Sequence, residues 1–108
     1  MPKKYVYIAG AYTGDVGFNV RAAISAGELL SADHGFIPYI PHLNHLWHIV
    51  YPHDQEFWYA YDLDWLLKCD CLLRLPGVST GADNEVKFAW EHHIPVYFSV
   101  DRLIEGMK

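Results

Sequence analysis

Four short runs rich in aromatic, β-branched and aliphatic residues, KKYVYIAG, FIPYIPH, CLLRL and IPVYFSV, punctuate this chain, and helical patterns lie between them. Strands that alternate with helices predict a parallel sheet covered by helices on both faces. The first run ends at Gly10 and passes through AYTGDVGFN into a helix expected from Asn19 to about Leu30, where Val20, Ala23, Ile24, Leu29 and Leu30 recur at helical spacing. Gly35 is its expected C-cap. Prolines in FIPYIPH place that strand at an end or an edge of the sheet. The stretch from His42 to Gln55 reads as a loop with one helical turn, lying over a site. A helix from about Glu56 to Lys68 follows, then the buried strand CLLRL, a helix opening in PGVSTGADNEVKFAW, a last strand, and a final turn in DRLIEGMK.

The predicted architecture is therefore α/β, a flavodoxin or Rossmann-like three-layer sandwich with a mostly parallel sheet of four to five strands. A length of 108 residues suits one domain spanning 1–108. In such folds a ligand sits beyond the carboxyl ends of the strands. Three segments must meet there: Gly10 to Gly17, the region from Pro41 onward, and Pro76 to Gly81.

Composition removes several classes of function. Hydrophobic residues at 52% against charged residues at 19% exclude a disordered chain. The net charge of −5, with no basic run, argues against a nucleic acid polymer as partner. No secretory leader and no apolar run long enough to span a bilayer is evident, so a soluble, cytoplasmic protein with no membrane partner is expected. Four Trp, eight Tyr and five Phe suggest a lined pocket or a subunit contact. Cys69 and Cys71, separated only by Asp70, read as buried thiols and not as a disulfide.

Two carboxylates stand out. On the helix from Glu56, Trp58, Tyr59, Trp65, Leu66 and Cys69 surround Asp62, whereas Asp64 falls on the opposite side. A carboxylate on an apolar stripe needs compensation. Asp62 is either a structural acid that accepts from a backbone group or a tyrosine, or a group held for chemistry. On the next helix, Val86, Ala89 and Trp90 form the expected buried face, and Lys87 and Glu91 point away. Glu85 sits on the flank of that face, in the expected first turn, where the helix dipole favours an ionised acid. The plainer account has Ser79 or Thr80 capping this helix and Glu85 complementing its dipole. Two carboxylates at one mouth suit displacement at an anomeric carbon, one attacking and the other handling the leaving group's proton.

With these residues in view, the chain resembles the nucleoside 2-deoxyribosyltransferase superfamily, close to its 2′-deoxynucleoside 5′-monophosphate N-hydrolase branch and to small bacterial and phage relatives. VYIAGAYTG, YDLDWLLKCD, STGADNEVKFA and HIPVYF carry the resemblance, in that order. It implies Glu85 as nucleophile at C1′, Asp62 orienting it or moving a proton, and Tyr7 positioning the glutamate or the sugar, with Asp70 as the second aspartate of its block. Ser79, six residues before Glu85, matches the serine that contacts a 5′-phosphate in the hydrolase branch. An anion would also suit the N–H groups of Thr80 and Gly81 at a helix N-terminus. Gly10 and Ala11 belong to the matching first loop, where Thr13 replaces that branch's arginine; Arg21 and Arg74 are the cations within reach. His42 matches a histidine near the substrate.

The implied activity is cleavage, by hydrolysis or base transfer, of the N-glycosidic bond of a (deoxy)nucleoside 5′-monophosphate or deoxynucleoside. It needs no cofactor and no metal, and the relatives form homodimers or higher oligomers. The alternative is a non-catalytic nucleotide-binding or assembly module of the same fold. His42, His45 and His48 recur every third residue, which on a helix spreads the rings too widely to share one ion, so a substrate-facing or interface segment is expected instead of a metal centre.

Overall fold

The computed structural model describes residues 3–108. Its elements run β1 (Tyr5–Ala9), α1 (Val16–Glu28), β2 (Ile37–Tyr39), α2 (His45–Val50), α3 (Gln55–Leu66), β3 (Cys71–Arg74), α4 (Thr80–Glu91), β4 (Val96–Tyr97) and α5 (Val100–Gly106). The four strands pair in the order β2-β1-β3-β4, and every pairing is parallel. β2 lies at an edge, which explains how Pro38 is tolerated without an N–H to donate.

Alternation along β1 splits the core into two layers. Tyr7 and Ala9 pack with Leu72, Leu66 of α3, and Ala82, Val86 and Ala89 of α4. Val6 and Ile8 pack on the other face with Cys71, Leu73, Ala23 of α1 and Leu103 of α5. The sheet is thus the middle of a three-layer sandwich, as expected. Ile8, Leu72 and Leu73 are essentially sealed from water, each such side chain being worth about 1.5–3 kcal/mol of burial. The free thiols Cys69 and Cys71 belong to opposite layers.

Several boundaries move for identifiable reasons. α1 begins at Val16, before the expected Asn19, because the Asp15 carboxylate accepts from Phe18 N at 3.1 Å and caps it. Beyond Glu28 the chain continues as a π-helical turn over Leu29–Asp33, and Gly35, at φ +74°, ends it with its N–H on the Ser31 carbonyl. The buried positions are Ala23, Gly27 and Leu30, leaving Ile24 and Leu29 exposed. Gly27 sets that face: a Cβ there would lie 2.5 Å from Ile40 Cδ1, so α1 approaches the chain beyond β2 more closely than a larger residue permits.

The segment from His42 to Gln55 is more ordered than expected, with a 3₁₀ turn at Pro41–Asn44 running into α2. α3 starts at Gln55, capped by Asp54, and stops at Leu66, not Lys68. Trp90, predicted to be buried, is 58% exposed. The buried stripe of α4 comprises Ala82, Glu85, Val86 and Ala89, and Trp90 lies about 100° beyond it.

Candidate active site

In the strand order β2-β1-β3-β4 the crossovers from β1 run in opposite directions, which opens a crevice outside the carboxyl ends of β1 and β3. A cavity of about 610 Å³ occupies this place. The loop after β1 forms one wall, the N-terminus of α4 a second, and the segment around α2 a third. The loop after β1 closely approaches the chain leaving β3 at Gly10, where a Cβ would lie 2.9 Å from Leu75 Cδ1.

Glu85 and Asp62 both line this cavity. Glu85 is 8% exposed and held from behind: Tyr7, completely buried in β1, donates its hydroxyl proton to Oε2. Oε1 has no partner among the described residues and is not sealed from water. Asp62 is arranged in parallel. Its Oδ1 accepts from Tyr39 Oη at 3.0 Å and Asn44 Nδ2 at 3.3 Å, and Oδ2 has no partner among the described residues. Each carboxylate is therefore tethered through one oxygen, with a tyrosine on each tether.

Burial pushes the Glu85 carboxyl up to about 7; the Tyr7 hydrogen bond opposes this, the Asp62 charge adds to it, and Arg74 opposes it. Burial likewise raises Asp62 to about 6, against the hydrogen bond from Tyr39. The expectation that the helix dipole keeps Glu85 ionised therefore fails. α4 starts at Thr80, which puts Glu85 in the second turn, and it is Asp83 that occupies the first. Desolvation outweighs what remains of the dipole. Tyr7 itself is raised well above the usual phenol range, by burial first and the Glu85 charge second, and so remains a donor.

Of the other expected residues, Ser79, Thr80, Gly81, Gly10, Ala11, Thr13 and His42 all line the cavity. Tyr7 does not: it reaches Glu85 and cannot touch a ligand directly. Ser79 Oγ accepts from Ala82 N at 3.1 Å, so this residue caps α4 as well as facing the cavity. Neither Arg21 nor Arg74 lines the cavity. Arg74 is buried beside the N-terminus of α4, bonded to Asp83 at 2.9 Å and to the carbonyls of Leu75 and Gly77. The sequence-level lean toward a phosphorylated ligand therefore loses its cations. Asp70 lies elsewhere and accepts from Tyr5 N at 2.7 Å.

His42, His45, His48 and His53 all border the cavity, and the His42–Gln55 segment does lie over the site. His42 Nε2 donates to the Ala11 carbonyl at 2.9 Å, which leaves Nδ1 buried with no partner among the described residues. Burial lowers its pKa, in keeping with a neutral ring. His45 Nδ1 pairs with the Tyr12 hydroxyl. His48 Nδ1 accepts from Trp58 Nε1 at 2.8 Å and from His53 N at 3.2 Å, which leaves the ring proton on Nε2. Among the described residues no three His, Cys, Asp or Glu side chains converge as a metal would require. Burial pushes both cysteine thiols up to about 12, so neither is an activated nucleophile.

Sequence reasoning missed Tyr39, Asn44 and Tyr12. Position was the available signal for the first two: Tyr39 ends β2 and Asn44 follows in the next turn, beyond a carboxyl strand end.

Residues 4–99 match the family described as Domain of unknown function (DUF7768). The chain belongs to that family. No match to this DUF7768 protein is found among curated proteins. Among solved structures it is similar to a 2-deoxyribosyltransferase from the psychrotolerant bacterium Bacillus psychrosaccharolyticus, with TM-score 0.69 and 20% identity over 85% of this chain and 69% of that one. It is also similar to a conserved protein from Enterococcus faecalis V583, with TM-score 0.73 and 22% identity over 88% of this chain and 62% of the other. The fold of this DUF7768 protein is nucleoside deoxyribosyltransferase-like. No helix among the described residues is long and apolar enough to cross a membrane.

Proposed function

We propose that this protein cleaves the N-glycosidic bond of a deoxynucleoside or a (deoxy)nucleoside 5′-monophosphate. The observation that carries this reading is the pair of half-tethered carboxylates, Glu85 and Asp62, on one cavity. Glu85 attacks C1′ through Oε1 as the bond to the base breaks. The electron pair stays on the base nitrogen, and the base takes up a proton from Oδ2 of Asp62. Water, or a second base, then displaces the Glu85 carboxylate from C1′, giving hydrolysis or transfer. Ser79 and the N–H groups of Thr80 and Gly81 receive the 5′ end, and Gly10, Ala11, Thr13 and His42 border the remainder of the ligand.

The singly protonated pair has one nucleophile and one acid. A bound base that accepts a hydrogen bond from Asp62 favours the proton there and leaves Glu85 ionised. Residues 1–108 act as one domain in this reading, within a cytoplasmic homodimer or larger homo-oligomer, since Leu46, Ile49 and Val50 of α2 are 60–72% exposed. Incubation with a panel of deoxynucleosides and their 5′-monophosphates, with and without acceptor base, tests the activity by chromatography of the released base. The alternative, a non-catalytic nucleotide-binding module, predicts calorimetric binding without base release.

A further inference from the structure

Asn44 ends the 3₁₀ turn Pro41–Asn44 and passes into α2 with helical backbone angles, φ −68° and ψ −7°, so its side chain is not engaged in capping. Its amide is spent elsewhere: Nδ2 donates to Tyr39 Oη at 3.1 Å and to Asp62 Oδ1 at 3.3 Å. Tyr39 passes its own proton on to the same Oδ1 at 3.0 Å, and its ring stacks on Trp65 with centroids 5.3 Å apart at 16°. The three side chains close a triangle in which every donor points toward one carboxylate oxygen.

On the glycosidic reading of the site, we propose that Tyr39 and Asn44 are positioning residues that saturate Oδ1 of Asp62 and so make Oδ2, which has no partner among the described residues, the oxygen that exchanges a proton with the ligand. A proton on Oδ1 would confront two N–H and O–H donors already aimed at it, whereas Oδ2 faces none. The triangle thus fixes both the rotation of the carboxyl group and the face from which it delivers its proton. The Tyr39 hydrogen bond also stabilises the ionised form, which restrains the upward push of burial on Asp62. The other groups coupled to Asp62 are Tyr7 from β1 and Glu85 from α4, and the histidines of the segment around α2 share the cavity.

The test is a carboxyl-carbon NMR titration of Asp62 in the ligand-free protein, for the parent, Tyr39→Phe and Asn44→Ala, with Trp65→Phe as a packing control. Tyr39→Phe keeps the stack and removes only the hydroxyl. The expected result is an upward shift of the Asp62 midpoint by about half a unit or more in both tether variants and none in the control. The limb of the kcat/KM profile that follows Asp62 moves by the same amount, with KM within about threefold of the parent. An Asp62 midpoint unmoved in Tyr39→Phe overturns the proposal, as does an equal shift in Trp65→Phe. Because the titration is read without substrate, failure to release base from any nucleoside removes the glycosidic reading and leaves this outcome separately readable.

Discussion

The hydroxyl of Tyr7, wholly buried in β1, donates to Oε2 of Glu85 across 78 residues of sequence, and so fixes a carboxylate on α4 against the central sheet. This bond stabilises the ionised form of Glu85, against the desolvation that raises it to about 7. Replacing Tyr7 by Phe removes the donor and leaves Oε2 of the buried Glu85 without its partner. The Glu85 midpoint then rises, and the limb of the rate profile that needs its ionised form moves to higher pH. Near pH 7, kcat/KM is expected to fall roughly tenfold or more, and the loss of the buried bond should cost the folded state about 1–3 kcal/mol. Steady-state rates across pH, paired with thermal melts, check this; an unmoved limb counts against Tyr7 as the tether.

The two carboxylates, at about 6 for Asp62 and about 7 for Glu85, make the singly protonated pair the reactive species. Activity should therefore trace a bell in pH. It falls on the acid side as both groups become protonated and on the alkaline side as both ionise, and the apparent midpoints belong to the pair. A rate that climbs monotonically to pH 9 would mean that no acid of this pair is required.

The site also weakens the fold. An acid whose folded pKa is raised contributes stability that is complete below the ordinary carboxylate pKa and is lost as pH rises through the folded value. For Glu85 that window runs from the ordinary carboxylate range to about 7, and the loss is on the order of 3 kcal/mol. Glu85→Gln keeps an acceptor for Tyr7 and cannot ionise. Its melting temperature should exceed the parent's at pH 8 and match it near pH 4, with no base release at either pH. Parallel melts of the two proteins across that range decide the matter, and identical curves would contradict the burial argument.

Ser79 serves two ends, capping α4 and facing the cavity, and two substitutions separate them. Ser79→Ala loses the cap and should cost about 1 kcal/mol. Ser79→Asp keeps a capping acceptor but sets an anion at the mouth, so turnover of a 5′-monophosphate should drop well below turnover of the matching nucleoside. Equal effects on both substrates would place the 5′ end elsewhere.

The alternation of runs around YVYIA, CLLRL and PVY carried the layer order and the place of the site, because strand and helix periodicities are local properties of sequence. Asp62 was legible for the same reason, as the polar member of an apolar stripe. The tethers were not. Tyr7 meets Glu85, and Tyr39 meets Asp62 and Asn44, only once the sheet brings β1, β2, α3 and α4 together. Periodicity also misjudged Trp90 and Ile24. Small residues such as Ala82, Ala89 and Gly27 let the helices settle closely on the sheet, and this turns the larger neighbours outward. The depth of Glu85 depended on where α4 begins, and a cap at Ser79 placed it in the second turn, so burial sets its charge state.

The most direct test of the central claim is base release from a panel of deoxynucleosides and their 5′-monophosphates, run at pH 6.5 (about midway between the two carboxyl midpoints) with the parent and Glu85→Ala side by side. The parent should release free base from at least one member, with a loss of about a thousandfold or more in the variant. Equal release by the two proteins, or none by the parent from any member, would contradict it.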